Sequence, residues 1–483
     1  MSGGEAGRLI VAGARAAGLG FALRIPARLL YLLIAARLFG PAPLGAFFVA
    51  LSAIELAVTL SSLGTRKILF HLLDGGADGG AAEPRPRVHF LLDALFLAAA
   101  ASAAAAAFLA GTALLIDSRA LLLLAPAVVA VASIELLLAA ARWTHRVRVD
   151  VVSRSIVEPL AGLAGTAAAS LLGWRGVEGL ALGYWCGMAC AFVYASLATR
   201  AAFGGLRLAA YRPSRAAMAE ILRLGPSNSG TDFLNVLYTR GDLYLVSALL
   251  GDAAAGLYGA ARQIVIPLRQ VRQSFDALLI PIAARTFRAD GASASGPALA
   301  SASRLILVLL LPMVLLVLTC GEEILALLGP QFVAAYPALL LFALAETVHA
   351  TLGIGDLVFV YLQPRLGLRQ ALASTAFGLV AALLLIPLFG LAGGAAAVLA
   401  AYLLRGWLRS RALRRAYAIV TSAAHAAPVA IALAAAALGM AANQAEALVL
   451  PPLLALAAYA AGIAFWLRRG GGSIALTGFR AAP

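Results

Sequence analysis

The chain has 483 residues, of which 63% are hydrophobic and only 12% are charged, and its mean hydropathy is +0.94. Soluble proteins carry about 25% charged residues, so this composition excludes a soluble enzyme, a disordered protein and a fibrous protein. It predicts a membrane protein that crosses the bilayer many times. The net charge of +15 is compatible with nucleic-acid binding or with basic cytoplasmic loops, and the positions of the basic residues decide between them.

Apolar segments of about 20 residues, the length needed to cross a bilayer, follow one another along the whole chain. They predict an all-α polytopic membrane protein with about 14 transmembrane helices. The segments lie at 17–38, 43–63, 89–111, 120–141, 152–173, 178–199, 224–249, 255–283, 301–320, 337–360, 370–389, 392–408, 418–440 and 445–467. The eleventh and twelfth are joined only by a tight turn at Gly390-Leu391-Ala392.

The basic residues are distributed very unevenly between the two sides of this arrangement. The N-terminus and the loops after even-numbered segments hold most of the 37 basic residues, whereas the opposite side holds only Arg37, Arg119 and Arg175. Basic loops stay in the cytoplasm, so both termini are predicted to be cytoplasmic. The same asymmetry explains the positive charge, and we therefore expect no nucleic-acid partner.

A short motif occurs twice and predicts an internal duplication. LFGPAPLGAF at 38–47 resembles LLGDAAAGLY at 249–258, and the pair Gly176 and Gly179 recurs at nearly the same offset as Gly390 and Gly393. This pattern predicts two parallel six-helix repeats, with chance similarity in a chain of 47 glycines as the alternative. The predicted organisation is an N-terminal six-helix bundle (1–199), a cytoplasmic amphipathic linker (200–223), a C-terminal six-helix bundle (224–415), two additional transmembrane helices (416–467) and a cytoplasmic tail (468–483).

Ionisable side chains inside the apolar segments are candidate functional residues, because each costs about 2.5–3.5 kcal/mol in hydrocarbon. They form stripes at helical spacing, which predicts one internal, water-accessible cavity between the halves. Arginine keeps its charge and binds phosphate oxygens with a planar fork, so such a cavity suits a phosphate-bearing anion. The predicted substrate-binding residues are Arg24, Arg28, Arg262, Arg269, Arg272, Asn228 and Asn235, and the predicted ion-coupling residues are Glu55, Asp232, Asp242 and Glu346.

The alternative is that these arginines pair with acids only to hold helices together, as Arg272 could with Asp276. Arg240 is predicted to point away from the polar stripe of its segment. The sequence contains no nucleotide-binding loop, no Ser/His/Asp nucleophile set and no Cys/His metal spacing. We therefore expect no catalytic activity, no cofactor and no metal.

Three segments resemble the polysaccharide (O-antigen and exopolysaccharide) flippases of the multidrug/oligosaccharidyl-lipid/polysaccharide exporter superfamily. AARLFGPAPLGAFFVALSAIELAVTLSSLGTRKIL (35–69) is similar to the opening of that family. RGDLYLVSALLGDAAAGLYGAARQI (240–264), with LLIPIAAR (278–285), is similar to the start of its second half, and LIPLFGLAGGAAAVLAAYL (385–403) to its eleventh-to-twelfth hairpin. Order and spacing make the resemblance more specific than any one motif.

The resemblance implies two six-helix bundles around a cavity whose cationic residues hold a diphosphate. It also implies translocation of an undecaprenyl-diphosphate-linked oligosaccharide across the bacterial inner membrane by alternating access, with membrane lipids, a polysaccharide polymerase and glycosyltransferases as partners. The additional helices could form a groove for the lipid tail. The alternatives are a lipid II flippase, a cation-coupled drug or metabolite exporter of the same fold, and a membrane glycosyltransferase or ligase, for which the short outer loops leave no catalytic domain.

Overall fold

The computed structural model describes residues 24–74, 86–204, 211, 213–273, 275, 296–355, 359, 363–420, 425–442 and 450–468. All regular elements within these ranges are helices. They are α1 (24–39), α2 (Pro41–Ser61), α3 (Thr65–Leu73), α4 (Arg87–Leu115), α5 (Arg119–Leu124), α6 (Ala127–Trp143), α7 (Val147–Val152), α8 (Glu158–Leu171), α9 (Val177–Ala202), α10 (Arg215–Leu250), α11 (Asp252–Ile264), α12 (266–273), α13 (Gly296–Leu328), α14 (Tyr336–Leu352), α15 (Pro364–Tyr417), α16 (Ala426–Ala442) and α17 (Leu450–Arg468).

The predicted fold class, an all-α polytopic membrane protein, is confirmed. Among the described helices, seven are long and apolar enough to cross a bilayer, and α16 is apolar but shorter. Other predicted segments are interrupted. The fourth is divided into α5 and α6 next to Pro126, and the fifth contains a π-helical turn at Ser153–Val157 that separates α7 from α8. A proline removes a backbone donor, and a π turn inserts an extra residue, so neither segment forms one regular helix.

The range assigned to α15 contains two helices that form a tight hairpin. Gly390 has φ 58° and ψ −133°, which breaks the helix at the predicted turn. Beyond the break the chain returns along itself: a Cβ on Gly393 would overlap the carbonyl of Leu385, and a Cβ on Gly378 would lie 2.9 Å from that of Ala401. Glycine is required at Gly390 because side chains rarely adopt this positive φ.

The repeated motif has the same backbone conformation in both copies. Gly40 has φ 77° and ψ −178°, and Gly251 has φ 86° and ψ 174°, a region essentially restricted to glycine. The next glycines of the motif, Gly45 and Gly256, pack against each other reciprocally. A Cβ on Gly45 would overlap the carbonyl of Asp252, and a Cβ on Gly256 would overlap that of Pro41. The likeness of the two motifs therefore extends to their geometry.

The chain divides into two compact units, one formed by 1–247 with 251–256 and the other by 248–250 with 257–483. Helix α10 belongs almost wholly to the first unit, so the boundary lies beyond the predicted linker. In the second unit, α16 and α17 pack on α13, and the hydroxyl of Tyr459 donates to the carbonyl of Val308 at 2.9 Å. The division into two bundles of six helices stays a prediction.

Part of the predicted linker is fixed to the first unit by a buried acid. The carboxylate of Asp93, which is 0% exposed, accepts a hydrogen bond from the hydroxyl of Tyr211 at 2.7 Å and another from the backbone of Ser214 at 3.2 Å. Ser214 caps α10, because its hydroxyl accepts from the amide of Ala217 at 3.3 Å. The first turns of α10 are thus continuous with the seventh predicted segment, and residues 205–210 and 212 lie outside the described residues.

Candidate functional site

The first unit holds two predicted substrate-binding arginines on one helix. Arg24 and Arg28 are one turn apart on α1, where Arg28 is exposed and Arg24 is half-buried. Within the described residues, neither makes a salt bridge. Arg28 lies in the electrostatic field of Arg240, Glu55 and Glu158, which belong to three other helices. Charges on several neighbouring helices indicate that Arg28 faces the polar side of its unit.

Close to this pair, side chains of alternating charge connect several helices of the first unit. Arg66 contacts Glu135 at 3.2 Å and Asp232 at 3.7 Å. Arg154, in the π-helical turn, contacts the other oxygen of Glu135 at 3.6 Å and Asp150 at 3.1 Å. This network neutralises charges that would be costly in an apolar bundle. It also engages Asp232, a predicted ion-coupling residue.

Arg240, which is predicted to point away from the polar stripe of its own segment, reaches an acid on another helix. Its guanidinium donates two hydrogen bonds to Glu55, from Nε and Nη2, each at 3.1 Å. The long side chain therefore reaches α2, although its position on the helical projection lies off the polar stripe. This fork-to-fork arrangement is the strongest geometry available to an arginine and a carboxylate. Arg240 neutralises Glu55, so this acid is not available to neutralise the two arginines of α1.

In the second unit, Arg269 of α12 and Glu346 of α14 form another two-bonded pair. Arg269 donates from Nε to one carboxylate oxygen at 3.1 Å and from Nη2 to the other. The side chain of Glu346 is only 4% exposed, whereas that of Arg269 is 26% exposed. The structure thus brings a predicted substrate-binding cation together with a predicted coupling acid.

The other two predicted arginines of this unit are buried in helix contacts. Arg272, 8% exposed, donates to the carbonyl of His349 at 2.7 Å and to that of Gly353 at 2.9 Å. These carbonyls end α14, where a cation is favoured by the helix dipole. Arg262, 5% exposed, lies over the ring of Phe342 at 5.3 Å. Such contacts are those expected of helix packing, and a substrate role for either residue stays a prediction.

The remaining predicted residues are described only in part. The exposed Asn235 lies on α10, and its backbone carbonyl accepts from the Thr239 hydroxyl at 3.0 Å. Asp242 is 6% exposed and has polar partners. The side chain of Asn228 and the whole of Asp276 lie outside the described residues. No group of three or more potential metal ligands occurs in the part of the chain that the structure describes.

Sequence reasoning missed most of the charge network of the first unit. Arg66, after the second segment, and Arg154, at the start of the fifth, are counted with the cytoplasmic loops in the sidedness rule, although their side chains contact Glu135 and Asp150. Two signals were available. Glu135 interrupts an otherwise apolar segment, and Asp150 and Arg154 have the four-residue spacing of a helical ion pair. The contact of Arg66 with Asp232 has no signal in the sequence, because it depends on tertiary packing.

Comparison with known proteins agrees with this architecture. The chain covers 99% of a structure described as "Lipid II flippase MurJ, inward closed conformation", with 95% of its own length aligned, a TM-score of 0.68 and 12% identity. It covers 98% of a Vibrio cholerae MATE transporter, VcmN, with 84% of its own length aligned, a TM-score of 0.57 and 12% identity. No curated protein sequence matches the chain.

At such low identities these similarities establish the fold alone. A family model described as "Polysaccharide biosynthesis protein" matches residues 16–287, which is more than half of the chain and includes the whole charge network of the first unit. The chain therefore belongs to the polysaccharide biosynthesis protein family, with the fold shared by MurJ and MATE transporters of the MOP superfamily.

Proposed function

We propose that the protein is a flippase that moves an undecaprenyl-diphosphate-linked oligosaccharide across the bacterial inner membrane by alternating access, for polysaccharide biosynthesis. The family and fold support a transporter or flippase, and the observation that carries the choice of substrate is the Arg24 and Arg28 pair. These two cations make no salt bridge with a described residue, whereas neighbouring arginines are engaged by acids. Under this proposal the protein is not an enzyme.

Arg28 is assigned the main contact with the diphosphate. It is exposed, and one of the two acids in its field, Glu55, is held by Arg240. A guanidinium in a poorly hydrated site binds phosphate oxygens with charge-assisted bonds of about 1.5–3 kcal/mol each. Arg24, one turn away, contacts the same anion. Arg262 is also assigned to the diphosphate, and Asn228 and Asn235 are assigned to the sugar. Arg272 is a further predicted substrate-binding cation.

Arg269 is assigned a conditional role. In the structure its fork is occupied by Glu346, so an anion can bind it only when that carboxylate is neutralised. Protonation of Glu346 would release Arg269 for the substrate, which couples the transport cycle to a proton. Glu55, Asp232 and Asp242 are the other candidate coupling acids. Glu55 and Asp232 each contact an arginine, an arrangement that disfavours the alternative of a cationic drug as substrate.

The proposal places the protein in the inner membrane with both termini in the cytoplasm. Its partners are the lipid-linked glycan, membrane lipids, the polysaccharide polymerase and the glycosyltransferases that build the glycan. A lipid II flippase is the nearest alternative. It predicts that loss of the protein arrests peptidoglycan precursors rather than a surface polysaccharide.

The test replaces Arg28 with Ala and with Lys, and Arg223 with Ala as a control. Arg223 is an exposed arginine in the first part of α10 that is assigned no role. Surface glycan is measured at matched protein levels. Loss of one charge-assisted contact predicts a decrease of about tenfold or more for Arg28→Ala, an intermediate value for Arg28→Lys and no change for Arg223→Ala. Unchanged glycan in Arg28→Ala would overturn the assignment.

A further inference from the structure

The first unit carries a pocket away from the arginines discussed above. It lies where α8 ends and α9 begins, has a volume of about 610 Å³ and is open on one side. Two tryptophans, Trp174 and Trp185, line it together with Arg175 and Glu178. The volume falls within the usual range of ligand sites, which combine aromatic walls with a few polar groups.

The backbone of Trp174 is fixed by the end of α8. Gly173 has φ 84°, its amide donates to the carbonyl of Ser170 at 3.1 Å, and the amide of Trp174 donates to that of Ala169 at 3.0 Å. These two bonds form a Schellman motif, which closes a helix through a left-handed glycine. Trp174 is the residue immediately after that glycine and is 49% exposed, so its backbone position is defined and its indole is accessible.

The other polar groups of the pocket are also held in place. The indole N–H of Trp185 donates to the carbonyl of Leu123 at 3.1 Å, which orients the ring without covering its faces. Glu178 contacts Arg119 at 2.9 Å. The ring of Trp185, the backbone of Trp174 and the carboxylate of Glu178 are therefore positioned before any ligand arrives, and preorganisation lowers the entropic cost of binding.

The charges at the pocket are close to balanced. Arg119 is engaged by Glu178, so Arg175 is the cation contributed by the lining itself. Arg119 and Arg175 are also two of the three basic residues assigned to the non-cytoplasmic side. A site for an anionic lipid headgroup would be dominated by cations. A site with two indole rings, one guanidinium and one carboxylate instead matches a sugar, whose apolar ring face stacks on indole and whose hydroxyls bond to planar polar groups.

We propose that this pocket binds the saccharide part of the exported glycan on the non-cytoplasmic side of the membrane, with Trp174 as the main stacking residue. The inference rests on the proposed function for the orientation of the chain and for the identity of the cargo. It adds a second sugar site, which would hold the glycan after translocation.

The test measures binding by isothermal titration calorimetry with the purified full-length chain in detergent. The probes are three neutral trisaccharides (maltotriose, triacetylchitotriose and mannotriose) and, separately, glycerol 1-phosphate as a soluble lipid headgroup. The variants are Trp174→Ala, Arg175→Ala and, as a matched control, Trp407→Ala. Trp407 is a similarly exposed tryptophan of α15, at 55%, outside the pocket.

Saturable binding of at least one trisaccharide is expected, with a dissociation constant raised about tenfold or more by Trp174→Ala and unchanged by Trp407→Ala. Binding of glycerol 1-phosphate alone, abolished by Arg175→Ala, would overturn the proposal in favour of a headgroup site. Absence of trisaccharide binding, or equal binding by Trp174→Ala, would also overturn it and leave the tryptophans as interfacial anchors. Calorimetry measures sugar binding and not transport, so failure of this proposal can be distinguished from failure of the proposed flippase function, which the Arg28 variants test.

Discussion

The pair between Arg269 and Glu346 gives a quantitative test of how the second unit is stabilised. Replacement of Arg269 with Leu leaves the carboxylate of Glu346, which is 4% exposed, without its two-bonded partner. Removing one member of a buried ion pair costs about 3–5 kcal/mol. Arg269 itself is 26% exposed, so water can partly replace it, and the lower end of about 3 kcal/mol is expected.

The double variant Arg269→Leu with Glu346→Leu separates this structural cost from function. Two well-packed apolar side chains in place of a buried pair are often neutral or stabilising, so the double variant should regain wild-type stability to within about 1 kcal/mol. It should nevertheless fail to restore surface glycan, because both proposed transport groups are gone. The single variant Glu346→Gln, which imitates the protonated acid, should keep Arg269 available to an anion.

The assay is reversible unfolding of the purified chain in mixed micelles with increasing SDS, followed by helical circular dichroism. Arg223→Leu, which changes an exposed arginine, is the control and should lie within about 0.5 kcal/mol of wild type. The reasoning would be refuted if Arg269→Leu lost less than about 1 kcal/mol of unfolding free energy. It would also be refuted if the separate losses of Arg269→Leu and Glu346→Leu simply added in the double variant. Full glycan output from the double variant would instead exclude both residues from transport.

Two further variants test contacts in the first unit. Gly45→Ala should sharply lower the yield of folded protein, measured by fluorescence-detected size-exclusion chromatography, because its Cβ would overlap the backbone of Asp252. The control Gly111→Ala, whose Cβ would have nothing within 4 Å, should fold like wild type. Equal yields of the two variants would contradict the reciprocal packing of Gly45 and Gly256. Arg240→Ala should change the SDS-unfolding free energy by about 1 kcal/mol or less, because its partner Glu55 is 46% exposed and water can solvate it. A loss above about 3 kcal/mol would contradict this and show that the pair behaves as a buried ion pair.

Hydrophobicity alone predicted most of the architecture, because the bilayer imposes a length and a composition on every helix that crosses it. Each apolar segment contains at least part of a described helix, and the turn at Gly390 was visible because glycine marks a break in an otherwise continuous apolar run. The π-helical turn at Ser153–Val157 was not predictable, since no residue type there requires it. Arg154 lies within this turn and contacts Glu135 and Asp150.

The candidate site was only partly predictable, because a charge inside a membrane segment reveals a cost but not its partner. The stripe argument singled out Arg28 and Arg269, but it could not distinguish a cation that makes no salt bridge with a described residue from one held by Glu346. The same argument placed Arg240 off the polar stripe and could not show that its side chain reaches Glu55, since a projection of Cα positions ignores how far an arginine side chain extends.

The hairpin within α15 has a practical consequence for anyone who wishes to label this protein. A single residue, Gly390, separates two antiparallel helices, so this end of the pair offers no loop in which an epitope, a cysteine probe or a protease site could be accommodated. Insertions here would push the neighbouring turns apart at the contact between Leu385 and Gly393. The two helices must also insert into the bilayer together, because no loop between them could span the distance if only one had inserted.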